Sequence, residues 1–243
     1  MKEPDILTTT VPAHVHGYPG VAFGGYVAGM LAVRSEAKTL RVDFRAAVPV
    51  ETPVRIGRTP DGGAELRSGE TLLAVASPYG QTLDAPAAPG WEQAREASKE
   101  HVRVQNGGMS DCYGCGTAVV PGRGLRLFPD IARGRDLVAA AWTPDPGLAG
   151  DDGLLPPEVV WSALDCPGGV AALRLGSAKD GLVTAALTAT VLRPVAAGEP
   201  HVAYAWLTEE SGRKHTVGVG LATAEGELCA VAEALWLDPR PRR

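Results

Sequence analysis

The sequence predicts an α+β protein built from two copies of one unit, each a strand, a central helix and a run of antiparallel strands. Three observations carry this expectation. The strand, helix, strands pattern occurs twice, on either side of a segment rich in alanine, proline and charge. Residue echoes link the halves: Phe44-Arg45-Ala46-Ala47-Val48-Pro49-Val50 resembles Val191-Leu192-Arg193-Pro194-Val195, and Glu70-Thr71-Leu72-Leu73-Ala74-Val75-Ala76 resembles Glu227-Leu228-Cys229-Ala230-Val231-Ala232. The strand-like runs alternate or are β-branched, and turn residues such as Asp61-Gly62-Gly63, Ser211-Gly212 and Glu225-Gly226 separate them.

In the first half, residues 6–11 read as a strand leading into His14-Val15-His16. Glycine and proline then cluster from Gly17 to Gly25, which marks a loop. Residues 26–37 read as a small-residue helix with Val27, Met30 and Leu31 on one face. The glycine pair stands at its start, where backbone N–H groups lack intrahelical partners. Strands follow at 40–48, 53–58, 64–67 and 70–77. Residues 84–90 are an extended or flexible connection, and 91–102 a short, highly charged helix. In the second half, 125–128 and 136–142 are strand-like, 155–175 is helical, and strands follow at 182–193, 200–207, 214–222 and 228–237. The boundaries are therefore an N-terminal unit at 1–85, a linker at 86–110 and a C-terminal unit at 111–240.

The helical stretch 155–175 is apolar, with Pro157 suited to a first turn and Glu158 to the positive end of the helix dipole. Asp165 interrupts it. A carboxylate on an apolar face must be paired, hydrogen-bonded or chemically employed. Pro167 follows and removes a backbone donor, so the helix either kinks there or restarts with Pro167 in its first turn.

Bulk properties exclude several classes. A net charge of −5 lacks the basic footprint that nucleic-acid binding needs, and the short tail Pro239-Arg240-Pro241-Arg242-Arg243 does not supply one. No apolar run approaches the roughly 18 residues of a membrane span. The start Met-Lys-Glu-Pro-Asp has no apolar signal core. The cysteines Cys112, Cys115, Cys166 and Cys229 are too scattered for a disulfide scaffold. The expectation is a reduced, cytoplasmic protein without nucleic-acid or membrane partners.

Three stretches resemble the hotdog-fold thioesterase superfamily in a tandem, double-hotdog arrangement. Phe23-Gly24-Gly25-Tyr26-Val27-Ala28-Gly29 looks like the Gly-Gly start of the central hotdog helix. Cys112-Tyr113-Gly114-Cys115-Gly116, followed by Gly122-Arg123-Gly124-Leu125, looks like the cysteine-containing opening of many single-domain members. Residues 158–172 resemble the central helix with its acidic residue. The resemblance implies two antiparallel sheets, each wrapping a central helix, paired side by side with the active site at the pairing interface. It also implies acyl-coenzyme A or acyl-carrier thioesters as substrates.

Thioester hydrolysis needs a water or carboxylate nucleophile and donors for the developing oxyanion. The family takes the donor from one helix N-terminus and the acid from the partner helix. The first half has Gly24-Gly25 but no acid further along; the second has Asp165 but Pro156-Pro157 where glycines would stand. One composite site is implied, with Asp165 and Gly25 as catalytic residues and His16, Gly24, Tyr26 and Trp161 toward the substrate. Each also has a plain structural role open to it: a tight turn or close packing for the glycines, a cap or an ion pair with an arginine such as Arg174 for Asp165, surface or packing positions for His14 and His16, core for Trp161. A double-hotdog dehydratase or hydratase, pairing His16 with Asp165, is the second reading. A non-catalytic thioester-binding member is the third. No cofactor is expected beyond the coenzyme A or carrier thioester as substrate, and both monomer and homodimer are compatible with a tandem chain. Cys112-Tyr-Gly-Cys115 has metal-ligand spacing, but a structural zinc takes four ligands, no second such pair exists and only His101 lies near in sequence, so no metal is expected.

Overall fold

The structure, a computed structural model, describes residues 6–104 and 109–240. Met1–Asp5 and the last three arginine-rich positions of the basic tail lie outside the described residues.

The first half comprises β1 (Ile6–Thr10), α1 (Gly24–Ala32), β2 (Thr39–Phe44), β3 (Pro53–Arg58), β4 (Ala64–Ser68) and β5 (Thr71–Pro78). Helix α2 (Trp91–Val104) follows. The second half comprises β6 (Asp130–Ile131), β7 (Val138–Trp142), α3 (Pro157–Ala163), α4 (Cys166–Leu175), β8 (Val183–Val191), β9 (His201–Ser211), β10 (Lys214–Thr223) and β11 (Leu228–Leu237). All the strand pairs are antiparallel.

The strands form one sheet rather than the two expected. Its order is β1-β3-β4-β5-β2-β8-β11-β10-β9-β7-β6. Strands β2 and β8 would each end a separate sheet with unpaired backbone groups; pairing them across the middle satisfies both edges. Read inward from either end, the order is the same, apart from the extra edge strand β6. The junction register sets Arg41 opposite Thr188, equivalent positions of the two halves, so a pseudo-twofold axis passes there. The sequence echoes lie at equivalent places. The N–H groups of Arg45 and Ala46 both reach Leu73 O, at 2.8 and 3.2 Å, and those of Leu192 and Arg193 both reach Cys229 O, at 2.8 and 3.1 Å.

Local chemistry moves some boundaries. Helix α1 starts two residues earlier than glycine punctuation suggests and ends earlier too, where the Ser35 hydroxyl donates to Gly62 O and accepts from Ala37 N–H. The expected strand at 125–128 is absent. Its N–H groups bond the cysteine loop instead, Leu125 N–H to Tyr113 O at 2.8 Å and Leu127 N–H to Gly114 O at 2.9 Å. Arg126 between them has φ 53°, which breaks an extended run. The linker carries a docked helix. Strand β9 is buried on both faces: Ala203 and Ala205 face the core under α4, while Val202 and Tyr204 join Ala94 of α2 on the other side. The Tyr204 hydroxyl also donates to Pro86 O at 2.9 Å, tying down the extended segment before α2.

Helices α1 and α3 meet at backbone contact. A Cβ on Gly25 would lie 2.6 Å from Ser162 Cα, and one on Gly29 would lie 2.4 Å from Glu158 Cα. The pairings run in opposite directions along the chain, so the helices are antiparallel. Gly29→Ala should therefore destabilise the protein by about 1–3 kcal/mol through overpacking, whereas Gly80→Ala, which meets nothing within 4 Å, should shift stability by less than about 0.5 kcal/mol. Urea denaturation of the two variants compares them.

Candidate active site

The second central helix breaks where the ionisable residue sits. Helix α3 ends at Ala163, Leu164 caps it, and α4 restarts at Cys166 with Pro167 in its first turn. Asp165 lies in the gap, only 1% exposed. Its Oδ2 accepts the Gly25 N–H at 2.7 Å, and its Oδ1 accepts the Thr184 hydroxyl at 2.7 Å. Gly25 is the second residue of α1, so the positive end of that helix is directed at the carboxylate. Glycine is required there because a Cβ would sit 2.9 Å from Asp165 Cβ, besides the clash with α3. Burial pushes the Asp165 carboxyl up to about 6, against the Thr184 and Gly25 hydrogen bonds that pull it down.

Asp165 opens onto a cavity of about 830 Å³ between the two halves. Its wall includes Gly24, Val27 and Phe44 from the first half and Val170, Thr184 and Trp236 from the second. The size suits a small-molecule acyl group.

Three buried thiols share that wall. Cys112, Cys115 and Cys166 have their sulfurs within 4.8 Å of one another. Their close mutual approach pushes the Cys112 thiol down and, with burial, the Cys115 and Cys166 thiols up. The sequence offered only the Cys112–Cys115 pair; the helix restart delivers the third.

No sequence-family model and no curated protein significantly matches this chain. Solved structures do. An acyl-CoA thioesterase II, TesB2, from Mycobacterium marinum has a TM-score of 0.60 over 99% of this chain and 95% of that one, at 16% identity. The tesB protein of Mycobacterium avium subsp. paratuberculosis gives 0.62 over 97% and 93%, at 12% identity. A conserved protein of unknown function with a hot dog fold from Alicyclobacillus acidocaldarius gives 0.56 over 100% and 96%, at 12% identity. The chain is a tandem hotdog-fold protein.

Within this hotdog pair, Asp165 and Gly25 touch, and Gly24 lies on the cavity wall. The other substrate-side residues stand elsewhere. The His16 ring nitrogens point to Ala13 O at 2.8 Å and to Asp111 Oδ2 at 3.2 Å, neither toward Asp165. His14 contacts Arg123 at 3.2 Å. Tyr26 stacks edge-on against Tyr113, ring centroids 5.9 Å apart. Trp161 is buried in the core, its carbonyl against Gly25. None of these four lines the cavity. Arg174 pairs with Asp130 through contacts of 2.8–3.1 Å, so it is not the partner of Asp165. Thr184 was not legible in the sequence. A threonine at the start of a β-branched strand is ordinary, and only the packing of the helix break against β8 brings its hydroxyl to Asp165.

Thr184→Val should leave one oxygen of a buried carboxylate without its donor and cost about 1–3 kcal/mol, while Thr184→Ser keeps the hydroxyl and should cost under about 1 kcal/mol. Denaturant unfolding of both variants measures this.

Proposed function

We propose that this hotdog protein hydrolyses an acyl-CoA or acyl-carrier thioester at one composite site per chain. The observation that carries the reading is the buried Asp165 carboxylate, held by Gly25 N–H and the Thr184 hydroxyl, at the wall of the inter-unit cavity. Asp165 acts as the general base, and the Thr184 hydroxyl orients the water beside it. The water attacks the thioester carbonyl carbon and its proton passes to Asp165. The oxyanion is held by backbone N–H groups in the first turn of α1, where Gly24 reaches the cavity wall. The C–S bond then breaks, the leaving sulfur takes the proton from Asp165, and a carboxylic acid and a free thiol result.

The fold makes a single site reasonable. Gly25 faces Ser162 and Gly29 faces Glu158, so the pseudo-twofold exchanges Gly25 with Glu158, Gly29 with Ser162 and Asp165 with Ala32. The second equivalent position therefore has no acid. The dehydratase reading has less support, since His16 Nδ1 faces Ala13 O and its Nε2 lies nearest Asp111 Oδ2 at 3.2 Å. No disulfide joins the four cysteines, which fits an enzyme of a reducing compartment.

The test is thiol release from a panel of acyl-CoA substrates. Asp165→Asn keeps the side-chain shape but cannot take a proton, so turnover should fall about 10²–10⁴-fold. Folded Asp165→Asn protein working at the wild-type rate would overturn the reading and leave Asp165 a structural residue. Replacing His14 and His16 together with Ala should leave hydrolysis within about tenfold of wild type, because general acid–base loss costs more. Near-complete loss in that variant would favour the dehydratase.

A further inference from the structure

The hydrolytic site leaves the neighbouring thiols unused. We propose that Cys112, Cys115 and Cys166 form a tris-thiolate site for a soft divalent cation of the zinc class, with its fourth coordination position open to the cavity. This stands independently of the thioesterase reading. It also replaces the sequence expectation of no metal, which rested on the lack of a second Cys-x-x-Cys pair and of any nearby histidine but His101.

Geometry is the first argument. The sulfurs lie within 4.8 Å of one another, and a zinc bonded to each at about 2.3 Å spaces them roughly 3.8 Å apart in a tetrahedron. Little adjustment is needed. The ligands come from two separate segments, a loop and a helix start, each rigidly held. The loop is a tight knuckle: Gly116 N–H bonds Cys112 O at 2.8 Å, and a Cβ on Gly116 would lie 2.5 Å from Ser110 O. Tyr113 N–H fixes its far side to His16 O at 2.8 Å.

The second argument is what surrounds the sulfurs. A Cβ on Gly114 would lie 3.1 Å from Cys166 Cβ, so the knuckle is pressed against the start of α4, where Cys166 is the first residue. Packing a small apolar thiol would explain burial alone, but not the convergence of three sulfurs from two segments.

The third argument concerns the fourth position. Among the described residues, no fourth cysteine, histidine or carboxylate atom joins the cluster. Asp165, next in the chain, has its two oxygens on Gly25 and Thr184. All three cysteines line the cavity, so water or a cavity ligand completes the coordination, as at zinc sites that keep an open place.

Elemental analysis of the purified full-length protein should find about one zinc per chain, and X-ray absorption at the zinc edge should find three sulfurs at about 2.3 Å. After chelation, cobalt(II) should restore a thiolate-to-metal charge-transfer band that saturates at about one equivalent per chain. Cys166→Ser should abolish the band, and Cys229→Ser, away from the cluster, should leave it unchanged. Reduced wild-type protein that yields no band, a Cys166→Ser variant that binds cobalt like wild type, or sulfur-poor coordination in the absorption spectrum would each overturn the proposal. So would a disulfide within the trio in protein purified without oxygen. The wild-type measurements decide the matter even if a cysteine variant does not fold.

Discussion

The approach of α1 to α3 at backbone contact is the constraint on which the rest of the molecule depends. It exists because residues 25 and 29 have no side chains, one helical turn apart on one face. With the backbones that close, the Gly25 N–H reaches across to the Asp165 carboxylate. That contact, with the Thr184 hydroxyl, allows a carboxylate to be buried without a cationic side chain. The positive end of α1 takes the place of an arginine. The break between α3 and α4 belongs to the same arrangement. A continuous helix would carry residue 165 along its own backbone ladder; the interruption lets Asp165 turn toward α1 while Pro167 sits in the first turn of the next helix, where its missing N–H costs nothing.

The sheet then fixes how the halves sit. Joining β2 to β8 makes one surface that runs under both central helices, and the cavity forms where loops and helices from the two halves meet above that junction. Duplication supplies the symmetry, and divergence at a few positions supplies the difference between the two equivalent places. Glycine against serine and glutamate, and alanine against aspartate, are enough to put the acid at only one of them. Helix α2 adds a layer on the opposite face of the second half. Strand β9 is therefore apolar on both sides, and the linker serves as core rather than as a tether.

The cavity wall draws on parts of the chain that sequence order keeps apart. Thr184 lies at the start of β8, Asp165 sits at the helix break, and the cysteine knuckle lies about 50 residues or more upstream of them. Each has a reason for its place that is separate from the others. The knuckle is pinned to the irregular segment at 125–127 and to the His16 carbonyl. Cys166 follows from the restart of α4, and Thr184 from the sheet register. Their meeting point is the cavity wall, where the carboxylate and the thiols are buried, and the lower local dielectric strengthens the electrostatic interactions among them.

Much of this was written in local sequence pattern. The duplication, most strand positions, the unusual Asp165, the proline that breaks its helix and the complementary loss of glycine and acid between halves all follow from neighbouring residues, because propensity, periodicity and missing N–H groups act over a few positions. The family resemblance gave the Gly25 N–H to the oxyanion, with Asp165 as the acid beside it; in the structure that N–H donates to the Asp165 carboxylate instead. Other features needed the folded chain. The resemblance implied two sheets, but whether edge strands join depends on pairing partners that local pattern does not specify. His16, Tyr26 and Trp161 looked close to the site by sequence distance, yet side-chain direction sends them to Asp111, Tyr113 and the core. Thr184 and Cys166 became site residues only through contacts made across long chain separations. Local pattern sets which segments become helix or strand; the mutual burial of those segments decides which side chains face one another.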